Sequence, residues 1–443
     1  MLKRNVFFWS LVVSLGGFLF GFDTAVISGA EKSIQQYWGL SSLQHGFTIS
    51  IALIGTVVGA LLGAIPSDRI GRKKTLYLIA LFYLVSSLGT SLSTNWYLFL
   101  GFRFLGGLGV GASSVTAPIY ISEISPASKR GRLVAMFQFN VVFGILVSYF
   151  SNYLIGYTGE NAWRLMLGIQ AVPSVLFLFL LRFIPESPRW LILHKGRIAE
   201  AAKILAVMSP STFEKDLEAI REAGEADKRD TDPSPLLSRK YKVPVTLAIL
   251  FAVFNQVSGI NAIIYYAPRI FEMTGLGKHS SLLSTVGIGA VNFLFTLLAM
   301  NFIDRFGRRT LMLIGSAGLI LSLGSVSHAF FARDFSGSMI TVFLLVYIAF
   351  FAFSQGAVIW VFISEIFPNQ VRAKGQTLGS FTHWTMAALI TFSFPYLAEK
   401  LGGGEIFAFF SVMMCLQLLF VWRKMPETKG RSLEQLEGTL ILH

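Results

Sequence analysis

Charged residues are scarce in this 443-residue sequence: 14% of the residues are charged, whereas 53% are hydrophobic. An average soluble domain has about a quarter charged residues, so this composition argues against a soluble enzyme. The sequence also lacks a nucleophile–base set, a phosphate-binding loop and metal-ligand spacing. We therefore predict a protein that is not an enzyme, is not driven by ATP, and has no metal and no cofactor. Its single cysteine, Cys415, excludes a disulfide framework within the chain.

Acidic residues are fewer than basic ones, with 24 Asp and Glu against 37 Lys and Arg, which gives a formal net charge of +13. In a soluble protein such a balance would suggest nucleic acid as a partner. Here the basic residues lie in short connections between apolar runs, as Arg72, Lys73 and Lys74 do. That distribution is typical of membrane topology. The sequence therefore predicts the lipid bilayer, and not a nucleic acid, as a partner.

Long apolar runs divide the whole chain. A bilayer core about 30 Å thick takes roughly 20 apolar residues per helix, and these runs are long enough to span it. They are too continuous for the alternating strands of a membrane β-barrel. The first run follows a basic head, as in a signal peptide, but no small-residue cleavage site follows it, so we expect a retained helix. The runs lie at about 6–28, 47–66, 75–93, 97–121, 133–156, 163–184, 243–269, 281–303, 311–331, 339–364, 374–398 and 404–422.

The runs form two groups of six, which predicts an all-α membrane protein with 12 transmembrane helices in two six-helix halves. We predict that residues 1–184 and 243–424 form the halves. Residues 185–242 would be a linker with short amphipathic helices, and 425–443 a tail. Basic clusters follow the even-numbered runs, which predicts that this side is cytoplasmic together with the linker and both termini.

The two halves repeat three motifs in the same order. SDRIGRKKT follows the second run and DRFGRRT the eighth; SEISPASKRGRL follows the fourth and SEIFPNQVRAKG the tenth. PESPRWL ends the sixth run and PETKGRSLE the twelfth. Such pairing indicates duplication. Parallel repeats of six helices are typical of one transporter architecture.

With these motifs, and with GFDTAVISGA, RFLGGLGVG and NQVSGINAIIYYAP, the chain resembles the major facilitator superfamily and, within it, the sugar porter family. The resemblance covers essentially the whole chain. It implies a multi-pass transporter of a monosaccharide that works by alternating access, and we expect it to act as a monomer. The sequence has no N-x-S/T glycosylation site, which fits a plasma membrane of the bacterial inner-membrane type. Sugar sensors in the family have long tails, so a sensor is not expected.

Two charges interrupt apolar runs: Asp23 near the middle of the first and Arg103 near the start of the fourth. A charge at this depth costs several kcal/mol unless it is paired or reaches water. One interpretation is a structural ion pair that locks the N-terminal half, and the other is a proton site. The resemblance favours the proton site, because proton-coupled members have an acid at this position and passive facilitators have asparagine. We predict proton symport with the proton as coupling ion; the alternative is a passive facilitator of a sugar or polyol.

A neutral sugar offers hydroxyls that donate and accept hydrogen bonds and an apolar ring face, which side-chain amides and aromatic rings match. Amides within a membrane also join helices, so each residue has a structural alternative. The resemblance favours sugar contact. This chain departs from the family where Asn255 replaces a glutamine and where His383 replaces an amide. The predicted substrate-binding residues are Phe20, Gln138, Asn255, Gln256, Asn261, Tyr266, Asn292, Trp360, His383 and Trp384.

Charged residues also stand at the predicted cytoplasmic ends of paired runs. One interpretation is that they only set the topology. The other is a network that links the halves, stabilises an outward-facing state and breaks when the inward side opens. Single exposed pairs contribute little, so only a network would bias this equilibrium. The predicted gating residues are Asp68, Arg72, Glu123, Arg130, Asp304, Arg308, Glu365 and Arg372.

Overall fold

The computed structural model describes residues 2–126, 129–229, 235–333, 339–368 and 371–429. In these parts of the chain the regular elements are all helices. The α-helices are α1 Leu2–Trp38, α2 Ser42–Leu62, α3 Ala64–Ile70, α4 Arg72–Leu92, α5 Trp96–Glu123, α6 Arg130–Ile155, α7 Ala162–Gly168, α8 Ala171–Leu180, α9 Pro188–Lys195, α10 Ile198–Met208, α11 Phe213–Arg229, α12 Lys242–Val257, α13 Ile260–Met273, α14 Lys278–Phe306, α15 Arg308–Ala332, α16 Met339–Phe353, α17 Gln355–Glu365, α18 Arg372–Lys400 and α19 Gly403–Lys424.

Within the described residues, eleven helical stretches are long and apolar enough to cross a membrane. They match eleven of the predicted runs, because α7 with α8, α12 with α13 and α16 with α17 each form one crossing. The remaining run corresponds to α18, whose 29 residues are ample for a span of about 30 Å at roughly 1.5 Å per residue. Polar side chains such as Thr382, His383 and Thr391 make α18 less apolar than the other crossings.

Two of the crossings are broken by irregular backbone. Between α12 and α13, Gly259 has a φ of 88°, and a Cβ at this position would overlap the Phe410 ring. Between α16 and α17, Ser354 departs from helical angles with φ −115° and ψ −89°. Broken helices are tolerated at membrane depth only where protein or a water-filled cavity satisfies the backbone. The first break brings polar residues to the facing ends of α12 and α13.

Helix α1 is longer than its apolar run. The run ends at residue 28, whereas α1 continues to Trp38 through Glu31, Lys32 and Gln35. Straight-chain polar residues are good helix formers, so the helix persists after the apolar character ends. The apolar run therefore predicts the C-terminal end of α1 about ten residues too early.

Residue contacts divide the chain into two compact units. The first consists of residues 1–24, 54–148 and 164–232, and the second of residues 25–53, 149–163 and 233–443. The second unit thus contains the C-terminal part of α1 and the start of α2 in addition to the C-terminal half. The predicted division at residues 184, 242 and 424 concerns the sequence halves and stays a prediction.

The two predicted amphipathic helices of the linker are confirmed as α10 and α11. With α9 they enclose a small core in the first unit around Trp190, Leu191 and Leu205. Trp190 Nε1 donates to the Asp68 carbonyl oxygen at 2.7 Å, and the Tyr120 hydroxyl donates to the Pro185 carbonyl oxygen at 2.6 Å. These bonds attach the linker to the end of the membrane-spanning helices of this unit.

Candidate functional site

The first unit holds an acid and a base in its interior. Asp23 of α1 is 2% exposed and Arg103 of α5 is 1% exposed, and Arg103 Nη1 donates to Asp23 Oδ1 at 3.4 Å. Arg103 Nε and Nη2 are buried without a hydrogen-bond partner in the described part of the chain. The guanidinium is therefore only partly satisfied, and its one charged partner is held by a long bond. Separation of this buried pair would leave two charges that each need a new partner or water.

Space beside this pair depends on Gly106, one turn after Arg103 on α5. A Cβ at Gly106 would lie 2.5 Å from Ser86 Oγ and 3.4 Å from Asp23 Oδ1. The absence of a side chain here leaves room for the Ser86 hydroxyl of α4, next to the Asp23 carboxylate. The Asp23 environment is thus built from three helices of the same unit.

A second polar group lies in the second unit, at the break between α12 and α13. Gln256 Nε2 donates to Asn255 Oδ1 at 2.9 Å, and Asn261 Nδ2 donates to Gln256 Oε1 at 2.7 Å. Gln256 Nε2 also lies 3.3 Å and 3.2 Å from the two ring nitrogens of His383 on α18. We call these four side chains the amide cluster. They come together because α18 packs against α12, at a sequence distance of more than a hundred residues.

Aromatic rings adjoin the amide cluster. The His383 ring lies 4.8 Å from the Trp360 ring and 4.9 Å, edge to face, from the Trp384 ring. Trp360 is 38% exposed, whereas Gln256 is 1% exposed. The arrangement joins groups that both donate and accept hydrogen bonds to a flat apolar surface. This chemistry suits a neutral polyhydroxyl molecule with an apolar face.

The other predicted sugar contacts lie in different settings. The Tyr266 hydroxyl donates to the Thr391 carbonyl oxygen at 2.9 Å and its ring stacks on Phe394, so its polar group already has a protein partner. Asn292 on α14 is half-buried. In the first unit, the half-buried Phe20 ring lies 6.4 Å from that of Phe137, and Gln138 is exposed on α6. Sugar contact by these residues stays a prediction.

Three of the four predicted gating residues of the first unit, Asp68, Arg72 and Glu123, form a compact ion-pair group. Arg72, at the start of α4, donates from Nε and Nη2 to the two Glu123 oxygens, both at 3.0 Å. Its Nη1 donates to Asp68 Oδ1 at 2.9 Å. A bidentate pair of this kind is stronger and more specific than a single contact. The group joins the ends of three helices of one half.

The second unit repeats part of this group. Arg308 Nη2 donates to Glu365 Oε1 at 2.9 Å, and Thr428 Oγ1 donates to Glu365 Oε2 at 2.6 Å. The side chain of Asp304 lies outside the described residues. Arg372 Nε donates to the Phe367 carbonyl oxygen at 3.2 Å, and Arg130 of the first unit is exposed at the start of α6. The pairs just described join residues of the same half, and linkage between the halves stays a prediction.

Two glutamates that were not predicted as site residues, Glu186 and Glu427, complete these groups. Glu186 accepts from the Lys73 amide at 3.0 Å, and Glu427 accepts from the Arg308 amide at 3.0 Å. Each caps the helix that follows a GR motif. Burial raises the pKa of Glu186 above its usual 4.5, while hydrogen bonds from backbone amides oppose this shift. The signal in the sequence was their place in the paired motifs PESPRWL and PETKGRSLE.

A third group of charged residues that was not predicted lies near the C-terminal end of α1. There Glu31 contacts His45 and Arg269. Neither Glu31 nor Arg269 is among the predicted site residues. In the described residues, no three His, Cys, Asp or Glu side chains are placed to hold a metal ion. The absence of a metal and of a cofactor stays a prediction.

The helical crossings and the polar groups between them define a multi-pass membrane transporter. A family model described as "Sugar (and other) transporter" matches residues 9–440, and the chain belongs to this family. The predicted membership in the sugar porters of the major facilitator superfamily is confirmed, and so is the fold class. Since the family consists of transporters, the protein is not an enzyme.

Several relatives are similar over nearly their whole length. The chain is 38% identical over 444 residues to the probable metabolite transport protein CsbC of Bacillus subtilis, covering 99% of this chain and 94% of the relative. It is 34% identical over 471 residues to the D-xylose-proton symporter of Escherichia coli, covering 98% and 95%. It is 37% identical over 435 residues to the arabinose-proton symporter of Bacillus subtilis, covering 97% and 93%.

A solved structure has the same fold. The inward open conformation of the xylose transporter XylE from E. coli matches with a TM-score of 0.87 and 33% identity. The match covers 98% of this chain and 99% of that one. The transporter fold therefore extends over the described parts of the chain.

Proposed function

We propose that this protein imports a monosaccharide together with a proton, by alternating access across a bacterial inner membrane. The observation that carries the proposal is the interior pair of Asp23 and Arg103, whose only mutual hydrogen bond is 3.4 Å long. A carboxylate that is weakly tied to its counter-charge can accept a proton when the pairing changes. Relatives named as D-xylose-proton and arabinose-proton symporters support the same coupling.

The amide cluster supports a monosaccharide as the substrate. Gln256, Asn255 and Asn261 offer both donors and acceptors, and Trp360 offers an exposed flat face. Hydroxyl groups of a sugar would replace hydrogen bonds that the amides now make to one another. No fixed charge belongs to this cluster, which favours a neutral substrate. The relatives are named after different sugars, namely D-xylose, arabinose and glucose. We therefore propose a pentose or hexose without choosing one.

The proposed roles follow from this chemistry. Asp23 takes up and releases the proton, and Arg103 pairs with the carboxylate when it is charged. The amide cluster binds the hydroxyls, and the two Arg-centred groups at Arg72 and Arg308 hold helix ends in place during the cycle. The proton is the only coupling ion in this proposal, no other cofactor takes part, and the protein acts as a monomer.

Accumulation of sugar tests the proposal. A membrane potential of 100 mV contributes about 2.3 kcal/mol per proton, which supports roughly fiftyfold accumulation at about 1.4 kcal/mol per decade. We expect energised vesicles to concentrate labelled D-xylose, L-arabinose or D-glucose, and a protonophore to abolish this. Asp23→Asn should lose accumulation and keep downhill exchange, because the isosteric amide still hydrogen-bonds Arg103.

The matched control is Glu160→Gln, which neutralises an exposed acid outside the apolar runs and should leave accumulation unchanged. If the wild type never concentrates any of the three sugars but equilibrates one of them, the protein is a passive facilitator. If Asp23→Asn still concentrates sugar, Asp23 is not the proton site.

A further inference from the structure

Three helices of the second unit meet around one buried carboxylate. Glu31, near the C-terminal end of α1, is 1% exposed. Arg269 of α13 donates from Nε to Glu31 Oε1 at 2.9 Å and from Nη2 to Glu31 Oε2 at 2.7 Å. This bidentate geometry is the strong form of the Arg–carboxylate pair. It joins α1, from the N-terminal half of the sequence, to α13, from the C-terminal half.

His45 of α2 fixes the orientation of this carboxylate. Its Nε2 lies 2.6 Å from Glu31 Oε2, and the ring is fully buried. Arg269 Nη2 makes a further hydrogen bond to Gln35 Oε1 at 2.6 Å. Both oxygens of Glu31 are therefore engaged, and the guanidinium is held on two sides. The group is buried, paired and hydrogen-bonded, which is what a stable charge in a protein interior requires.

A second ion pair links the same two helices on the surface. Lys32 contacts Glu272, and their side chains are 54% and 19% exposed. A cavity of about 500 Å³ lies between these pairs and is lined by Ser28, Glu31, Arg269 and Glu272, among others. Space for water thus reaches the edge of the buried pair. Separation of α1 from α13 would open this cavity further and hydrate both charges.

We propose that the Glu31–Arg269 pair, with His45 as its positioning residue, is a latch that holds α1 to α13 and must open in every transport cycle. Alternating access requires the helices of the two halves to part at each membrane face in turn. A buried pair is a suitable element, because it is stable when dry and loses its strength when water enters. The proposal rests on transport by this family and is independent of the proposed proton coupling.

Accessibility of an engineered cysteine tests the latch. The exposed Cys415 is first replaced by serine, and Ser28→Cys is introduced, because Ser28 lines the cavity and is buried. A membrane-impermeant maleimide is then added to right-side-out vesicles without sugar or proton gradient. We expect Arg269→Gln and Glu31→Gln each to raise the labelling rate about tenfold, which corresponds to roughly 1.4 kcal/mol. The uncompensated charge that remains draws water into the interface.

The double variant separates a specific pair from general damage. Removing both charges leaves no buried charge uncompensated, so Glu31→Gln with Arg269→Gln should label more slowly than either single variant. Lys32→Gln breaks the neighbouring exposed pair and is the matched control; it should change the rate by less than about twofold. His45→Leu should raise labelling, and His45→Gln, which keeps a donor, should restore a rate near the wild type.

Two results would overturn the latch: wild-type labelling in both single variants, or equal effects of Lys32→Gln and Arg269→Gln. Where Arg269→Gln fails to reach the membrane, Arg269→Lys keeps the charge, loses the bidentate fork and should still increase labelling. Because labelling is measured without transport, failure of the Asp23 experiment leaves this test intact.

Discussion

At the scale of single residues, Gln256 connects the amide cluster. Its Nε2 donates to Asn255 and adjoins the His383 ring, while its Oε1 accepts from Asn261. A bound hydroxyl can insert into this set because each amide both donates and accepts. Trp360 adds a surface that needs no polar partner. The amide cluster and the Trp360 ring therefore offer two different kinds of contact, which can be removed one at a time.

We expect Gln256→Ala and Trp360→Ala each to weaken sugar binding without preventing membrane insertion. For Gln256, loss of one satisfied hydrogen bond costs about 1–3 kcal/mol, or roughly five- to a hundredfold in Kd. For Trp360, the loss is that of the apolar face on which the sugar ring would stack. Calorimetric titration of the purified transporter measures this change. Gln417→Ala is the control, because Gln417 is a buried amide that donates to Ser316 outside the cluster, so the Kd should be unchanged. Wild-type affinity in both the Gln256 and the Trp360 variant would show that the sugar binds elsewhere.

Some of the site residues could be predicted from the sequence, and others could not. Asp23 and Arg103 were recognisable because a charge in an apolar run is costly and rare. The approach of Gln256 to His383 was not, because it depends on the packing of two helices far apart in the chain. Glu31 was overlooked because it follows the apolar part of α1, where an acid is ordinary.

At the scale of elements, α4 and α15 begin in the same way. Each follows a glycine with positive φ, Gly71 at 100° and Gly307 at 87°, and each has its first amides bound by a glutamate. A Cβ at either glycine would overlap the Oε2 of its glutamate, Glu186 or Glu427. In both halves, the glycine of the GR motif therefore allows a glutamate side chain to cap the N-terminus of the helix that begins there.

Gly71→Ala and Gly307→Ala should each destabilise the protein by about 1–3 kcal/mol, because both the φ angle and the space are unsuitable for alanine. Thermal unfolding in detergent measures the effect. Gly101→Ala is the matched control: Gly101 lies inside α5 with nothing near its virtual Cβ, so alanine should be neutral or stabilising by up to about 1 kcal/mol. Unchanged stability of the Gly71 and Gly307 variants would contradict this account of the turn.

Helices were the most predictable elements, since apolar runs of about 20 residues have few alternatives in a bilayer. The linker helices α10 and α11 followed from their amphipathic pattern. The breaks at Gly259 and Ser354 could not be located from apolar runs, which pass through both positions without interruption. Their angles result from packing against neighbours such as Phe410.

At the scale of the whole molecule, stability should depend on pH through Glu186, which ties α4 to the linker. Burial raises its pKa above the usual 4.5 in the folded protein. The folded state then binds more protons than the unfolded one above about pH 4.5, so this residue lowers stability as pH rises through its folded-state pKa. Below the unfolded-state pKa, Glu186 is protonated in both states and this destabilising effect disappears.

Glu186→Gln cannot ionise and should remove this dependence. We expect the Tm of Glu186→Gln, relative to wild type, to rise as the pH increases from about 4.5 towards neutrality. Thermal unfolding of both proteins across this range measures the difference. Curves that stay parallel at all pH values would show that Glu186 does not titrate in this interval.

The modest hydrophobicity of α18 has a consequence for the synthesis of the protein. Helices enter the bilayer from the translocon largely according to their apolar content, and polar residues near the centre oppose entry. His383 and its polar neighbours lower the apolar content of α18 and thus oppose insertion of this helix by itself. Helix α12, against which α18 packs, precedes it in the chain and emerges from the ribosome earlier. We therefore expect insertion of α18 to depend on contact with α12 while the chain is still being synthesised.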